Sequence, residues 1–135
     1  VCPRLIRTLC DKCKKTYRPN PKLIQKVGLP PETTRLFRPA TPFEPEKPGD
    51  EPPPPCEKCG DMYYYGRAGI FEVLGVNSRL RHLIAEGATP EVLLRTARQD
   101  GLRPLREHAI RKVAAGSTSF EEAMRASQAK ARTAH

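Results

Sequence analysis

No run of apolar residues in this chain approaches the roughly 20 that a helix needs to cross a bilayer, and the N-terminus lacks the apolar stretch of a secretory signal. The expectation is a soluble, cytoplasmic protein with no direct membrane insertion. Missing too are the Gly-x-x-x-x-Gly-Lys-Ser/Thr loop that cradles nucleotide phosphates, any Ser-His-Asp arrangement and any paired-acid site. His82 and His108 fall on predicted helices with neither a paired carboxylate nor a cysteine neighbour, so both read as surface or core-edge residues. No catalytic residue and no enzymatic activity are expected of this chain alone. Nothing repeats internally except one short cysteine unit. The first residue is Val1 rather than Met, which reads as a fragment, a processed chain or one whose natural start has been removed.

What is present is basic, proline-rich and supplied with five cysteines. At 135 residues the chain can form one ordinary domain or two small ones. Five cysteines without a secretory signal argue against a disulfide framework, because reducing compartments keep thiols free and an odd count leaves one unpaired. Residues 1–38 hold ten Lys or Arg against Asp11 and Glu32. The net charge of +9 invites a nucleic-acid reading, since a basic surface gains from counterion release.

Along the chain, residues 4–9 are short and partly β-branched and read as a strand that ends on Cys10. Leu23, Ile24 and Val27 have helical spacing over Pro21 to Val27, with Gly28 as the stop. Pro30 and Pro31 permit another helical turn through Leu36 and Phe37. From Pro39 to Pro55 eight of seventeen residues are proline, with four acids against Lys47, so residues 39–55 form an extended insert. Met62 to Leu74 reads as strand, with Gly66 and Gly69 marking a bulge or bend. Beyond it the chain is helical. Asn77 or Ser78 caps a helix carrying Leu80, Leu83 and Ile84 and stopped by Gly87; Thr89-Pro90 opens one with Val92, Leu93 and Ala97 inward. Pro104 starts a third, with Leu105, Ala109, Ile110 and Val113; Ser119 and Glu122 make a capping box for a fourth, with Phe120, Ala123 and Met124. The fold class is α+β. Residues 1–75 form a small tetracysteine subdomain of short strands and helices, residues 76–128 a small all-helical subdomain, and residues 129–135 a frayed tail.

Cys10, Cys13, Cys56 and Cys59 form two Cys-x-x-Cys units, and four soft, anionic sulfurs satisfy tetrahedral zinc with no coordination position left open. A structural zinc ion is therefore expected, although four thiolates also suit an iron–sulfur centre. Gly60, directly after Cys59, permits the backbone turn that such a unit needs; Cys13 is followed by Lys14 instead. Between the pairs lie 42 residues, against about 15 to 20 in compact zinc ribbons. That excess is tolerable, because each doubling of a loop costs only about 0.6 kcal/mol while structural zinc supplies roughly 10–16 kcal/mol in peptides. A redox dithiol would need a βαβ setting that is absent, and Cys2 reads as a free thiol outside the site. Four thiolates around a divalent ion carry about −2, so the metallated chain holds about +7, and Lys12, Lys14, Lys15, Arg18 and Lys58 read as charges offsetting the site. Tyr63 and Tyr65 would share one strand face and pack against the metal unit.

With these residues in view, the chain resembles the C-terminal region of the secretion ATPases that drive type II secretion and type IV pilus assembly. The resemblance rests on Arg4 to Cys13, Cys56 to Gly60, Gly66 to Leu74, and Gly101 to Leu105 with Lys112 to Glu122, in that order. It implies a zinc-binding subdomain that follows a nucleotide-binding core, so that ATP belongs to the full-length parent. It further implies a hexameric ring at the cytoplasmic face of the inner membrane, where the chain would brace its subunit and meet neighbouring subunits, membrane-platform proteins or other secretion proteins. Arg67 and Glu72 are expected as structural contacts. The chain departs from the pattern in its long, proline-rich insert and in carrying His108-Ala109 where the family has Asp-Gly. The rival reading is a free-standing zinc ribbon that binds nucleic acid through its basic N-terminal third.

Overall fold

The computed structural model describes residues 1–128, a mixed α and β chain in which two short antiparallel ribbons lie beside helices. Strand β1 (Cys2–Leu9) pairs with β4 (Tyr64–Glu72), and β2 (Lys15–Tyr17) pairs with β3 (Leu36–Arg38), with helix α1 (Pro21–Val27) between β2 and β3. Four helices follow: α2 (Ser78–Ala85), α3 (Pro90–Gln99), α4 (Leu105–Ala114) and α5 (Phe120–Ser127). The expected tail at 129–135 lies outside the described residues. No helix among the described residues is long and apolar enough to cross a membrane.

The β1–β4 register runs from Cys2 opposite Glu72 to Arg7 opposite Arg67, then slips before Leu9 meets Tyr64. Gly66, at φ +82°, sits at this slip, as its reading as a bulge required. Strand alternation turns Ile6 and Ile70 to one face, where both are fully buried against Leu105, Ala109, Ile110 and Val113 of α4 and Ala123 and Ala126 of α5. Leu29 and Leu36 complete this core, which is thus drawn from both sides of residue 75.

The segment around Leu36 departs from expectation. Leu36 and Phe37 form strand β3 and not a helical turn, because Leu36 pairs with Tyr17 and Phe37 with Thr16, and Leu36 becomes fully buried. That distant partner outweighs local propensity. The proline-rich insert behaves as expected, with neither helix nor strand from Pro39 to Pro55.

Local signals account for the helices. Asn20 and Asn77 each accept a backbone N–H at 2.9 Å, from Lys22 and Leu80, and Gly28 ends α1 at φ +75°. Inside α3 the expected inward face holds for Ala97, which is buried, whereas Val92 is exposed. Helix α4 has a proline at its cap position, and its first free N–H, that of Leu105, is accepted by the Glu72 carboxylate at 2.9 Å. Glu72 is the structural contact expected of it. Arg67 is exposed and faces Arg7 across the ribbon.

Gly116 ends α4 at φ +77°, and a Cβ there would lie 2.8 Å from the Phe37 ring. Its carbonyl accepts the Lys14 ammonium at 3.0 Å, and the same ammonium sits 4.2 Å over the Phe37 ring. Gly116→Ala therefore combines left-handed strain with a steric conflict and should destabilise the chain by roughly 1–3 kcal/mol in chemical denaturation. A neutral result would mean that Phe37 moves aside freely.

Candidate metal centre

Strand β1 ends on Cys10, whose N–H donates to the Tyr63 carbonyl at 3.0 Å and so ties the first cysteine turn to the exit of the second. The first turn closes through Lys14 N–H on the Cys10 carbonyl at 2.9 Å, without a glycine. The second closes through Gly60 N–H on the Cys56 carbonyl at 2.7 Å, and the Asp61 carboxylate accepts the Cys56 N–H at 2.9 Å. Gly60 lies at φ +59° with open space around it, so backbone conformation rather than crowding requires glycine there.

This geometry gathers all four cysteines. Their sulfur atoms lie within 4.8 Å of one another, with Cys10 Sγ 3.8 Å from Cys56 Sγ and Cys13 Sγ 3.6 Å from Cys59 Sγ. Four sulfurs at about 2.3 Å from one tetrahedral ion stand about 3.8 Å apart, so the set fits a single four-coordinate metal ion. A polynuclear cluster, whose ligands sit on different metal atoms, calls for a wider spread. Cys10 and Cys59 are buried, Cys13 and Cys56 half-buried, and Cys2 is exposed at the start of β1, away from the group.

The thiols differ in acidity. Burial, then hydrogen bonds with Cys59, Cys10 and Cys56, pushes Cys13 up to about 12, whereas the backbone N–H groups of Cys59 and Lys58 hold Cys56 down at about 7. Metal ligation takes all four as thiolates, so loss of the thiol proton is opposed at Cys13 and favoured at Cys56.

Two reciprocal ion pairs cross between the turns: Lys58 reaches Asp11 at 2.7 Å and Lys12 reaches Glu57 at 3.3 Å. The acid inside each Cys-x-x-Cys unit meets the lysine of the other, which sets the two turns in register, although exposed pairs of this kind contribute little energy. Lys12, Lys14 and Lys58 are therefore engaged within the chain, while Lys15 and Arg18 remain exposed.

The tyrosine expectation is corrected. Tyr63 adopts φ +63°, which breaks strand alternation before β4 begins. Tyr64 is consequently the inward residue, with its hydroxyl 2.8 Å from Ser119 Oγ and the Arg7 guanidinium 4.2 Å from its ring centre. Tyr65 is 57% exposed beneath Lys58, and only Tyr63 lies beside Cys13 and Cys56, in a cavity of about 670 Å³ roofed by the insert.

Residues that sequence reasoning underused join β1 to α5. Glu122, only 2% exposed, accepts the Arg7 N–H at 2.9 Å, the Arg7 guanidinium at 2.9 Å and the Arg125 guanidinium at 2.9 and 2.6 Å. The capping box forms by half: Ser119 Oγ accepts the Glu122 N–H at 3.2 Å, but the Glu122 side chain turns to β1 instead of back to Ser119. Thr118 Oγ1 donates to the Arg7 carbonyl at 2.8 Å and Leu9 N–H to the Ser117 carbonyl at 2.9 Å. On the far side of the ribbon, His108 Nδ1 accepts the Phe71 N–H at 3.0 Å, the core-edge role read for it. The Ser119–Glu122 spacing pointed only to a capping box; the burial that makes Glu122 need a cationic partner is set by β1, 115 residues away.

Comparison with known proteins bears on the same segment. Residues 1–125 match the family described as Type II/IV secretion system protein. The chain is 31% identical over 124 residues to the type IV pilus assembly ATPase PilB of Thermus thermophilus, an alignment that covers 90% of this chain and 12% of that protein. It is 34% identical over 132 residues to the type II secretion system protein E of Dickeya dadantii, covering 93% of this chain and 22% of that protein. With PilB of Myxococcus xanthus it shares 33% identity over 123 residues, 90% of this chain and 20% of that protein. The chain spans less than a quarter of the length of each of these relatives.

Proposed function

Because the chain belongs to the type II/IV secretion system protein family, we propose that it is the zinc-binding, non-catalytic C-terminal part of a secretion or pilus-assembly ATPase. It braces the motor subunit and meets neighbouring subunits of a hexameric ring or the inner-membrane platform, peripheral to the membrane on its cytoplasmic side. The reading is supported most directly by the convergence of four cysteine sulfurs within 4.8 Å inside a segment that aligns with proteins named as pilus-assembly ATPases.

Cys10, Cys13, Cys56 and Cys59 are the ligands, and zinc is the metal that four thiolates in a closed tetrahedral set suit best. A closed set leaves no position for substrate, so the ion's contribution is to fasten two distant turns. Residues 1–75 form the metal-bearing unit and 76–128 the helical one, while ATP binds the parent's nucleotide core. Nucleic-acid binding is disfavoured because the family match covers residues 1–125, the basic N-terminal third included, and Arg7, Lys12 and Lys14 of that third have partners within the chain.

Metal analysis of the purified chain should give about one zinc per molecule, and the chain alone should hydrolyse no ATP. The reading frame upstream should encode a phosphate-binding loop. A frame without one, or DNA binding that falls by orders of magnitude between low and physiological salt, would transfer the chain to the nucleic-acid reading.

A further inference from the structure

Two groups of charged residues of opposite sign are without an ion-pair partner among the described residues. The first is acidic: Glu44, Glu46 and Glu51 are exposed on the proline-rich insert, where the Asp50 carboxylate accepts the N–H groups of Glu46 and Lys47 at 3.1 and 2.9 Å and holds the tip in a turn. The second is basic and lies on the β2–α1–β3 unit. Lys15 stands directly opposite Arg38, and Arg18 and Arg35 follow β2 and precede β3 at the other end of the ribbon. Lys22 and Lys26, one turn apart, occupy the same face of α1, and all six cations are exposed. Like charges directly opposed across a ribbon are destabilising unless an anion sits between them.

We infer that the acidic tip of one copy docks on the basic β2–α1–β3 unit of a second copy. Both ends of the insert are held in its own chain, at Arg38 in β3 and at Cys56 in the metal centre, and its acids form no pair with that chain's own basic unit. Prolines on either side of the tip limit the conformational freedom lost on docking. Each copy carries one surface of each sign, so the contact either closes as a reciprocal pair or runs head-to-tail into a ring or an open chain. It rests on the reading of this chain as a subunit of an assembly and gives that subunit contact a location.

Sedimentation of the zinc-loaded chain should show self-association at about 50 mM salt that weakens at least about tenfold by about 300 mM, as screening requires of exposed charges. The triple variants Glu44→Lys/Glu46→Lys/Glu51→Lys and Lys22→Glu/Lys26→Glu/Arg35→Glu should each be monomeric with unchanged circular dichroism. Mixed in equal amounts they should associate again, because the first keeps the basic unit for the second's acidic tip and its lysine tip in turn matches the second's reversed unit. Carboxyl-to-amine coupling in a mixture of light and heavy-isotope chains should join Glu44 or Glu46 of one copy to Lys22 or Lys26 of another. A monomeric wild-type chain at low salt, a mixture that does not associate, coupling confined within single chains, or tighter retention on duplex DNA than on a second copy would each overturn the inference. Association that survives in both variants would overturn it too, and would leave the assembly reading standing with its contact elsewhere. Zinc content and the upstream reading frame do not depend on these charges, so the two readings can fail separately.

Discussion

Replacing Cys56 with serine, or stripping the metal with a chelator, should lower the melting temperature by about 10 °C or more and release both cysteine turns. Serine offers a hard, weakly acidic oxygen where the site needs a soft thiolate, and the three remaining sulfurs cannot close a tetrahedral shell. Structural zinc supplies roughly 10–16 kcal/mol in peptide systems, and even 3 kcal/mol of that moves the melting point of a chain this size by about 10 °C. The strain released on loss is local. Tyr63, at φ +63°, and Asp61, at φ +61°, occupy a left-handed conformation that costs on the order of 1–3 kcal/mol per residue and persists only when its surroundings enforce it. Amide exchange is the decisive readout. The N–H groups of Lys14 and Gly60 close the turns and that of Cys10 joins them, so all three should lose protection together, while those of α4 and α5 retain more of theirs. A metal-free protein with unchanged protection at these three amides would end the zinc account.

Glu122→Gln should abolish most of the acid sensitivity of folding, and Glu122→Ala should cost roughly 2–4 kcal/mol near neutral pH. The carboxylate accepts four hydrogen bonds from Arg7 and Arg125, and Arg125 first, then Arg7, hold it down at about 2 from an ordinary 4.5 despite its burial. A depressed carboxylate stabilises the fold in full above its unfolded value and loses that contribution as pH falls towards its folded one. The fall from 4.5 to about 2 corresponds to roughly 3 kcal/mol, present above about pH 5 and gone near pH 2. The alanine cost stays below that of breaking a fully buried pair because the arginine side chains are 52% and 60% exposed and remain hydrated. Urea unfolding between pH 2 and pH 7 makes the comparison, with the wild-type and glutamine curves converging in acid. Curves that run parallel throughout would remove Glu122 from its role.

The four-cysteine cluster and the helices were legible in the sequence because their signals are local. Cysteine spacing, Asn77 and Ser119 at helix starts, and Gly28 and Gly116 at helix ends each act within a few residues, and the bounds of α1 follow directly from Pro21 and Gly28. Misreadings arose where a distant partner decides. Leu36 is a strand residue only because Tyr17 lies opposite it, and the tyrosine run turns Tyr64 inward only because Cys10 binds the Tyr63 carbonyl and fixes that residue off the strand. Glu122 matched a capping motif in spacing, yet β1 offered its carboxylate a backbone N–H and a guanidinium at once.

The bonds that join α5 to β1 also govern how this ribbon meets other proteins. Along the outer edge of β1, Pro3 has no N–H, Arg7 gives its own to Glu122 and Leu9 gives its own to Ser117, so Leu5 alone has a donor to offer an incoming strand. That edge is a poor template for sheet extension by another chain and for the cross-β aggregation that open edges invite. Crowding many copies together should therefore leave this edge unpaired, and a partner that recognises it has to do so through side chains.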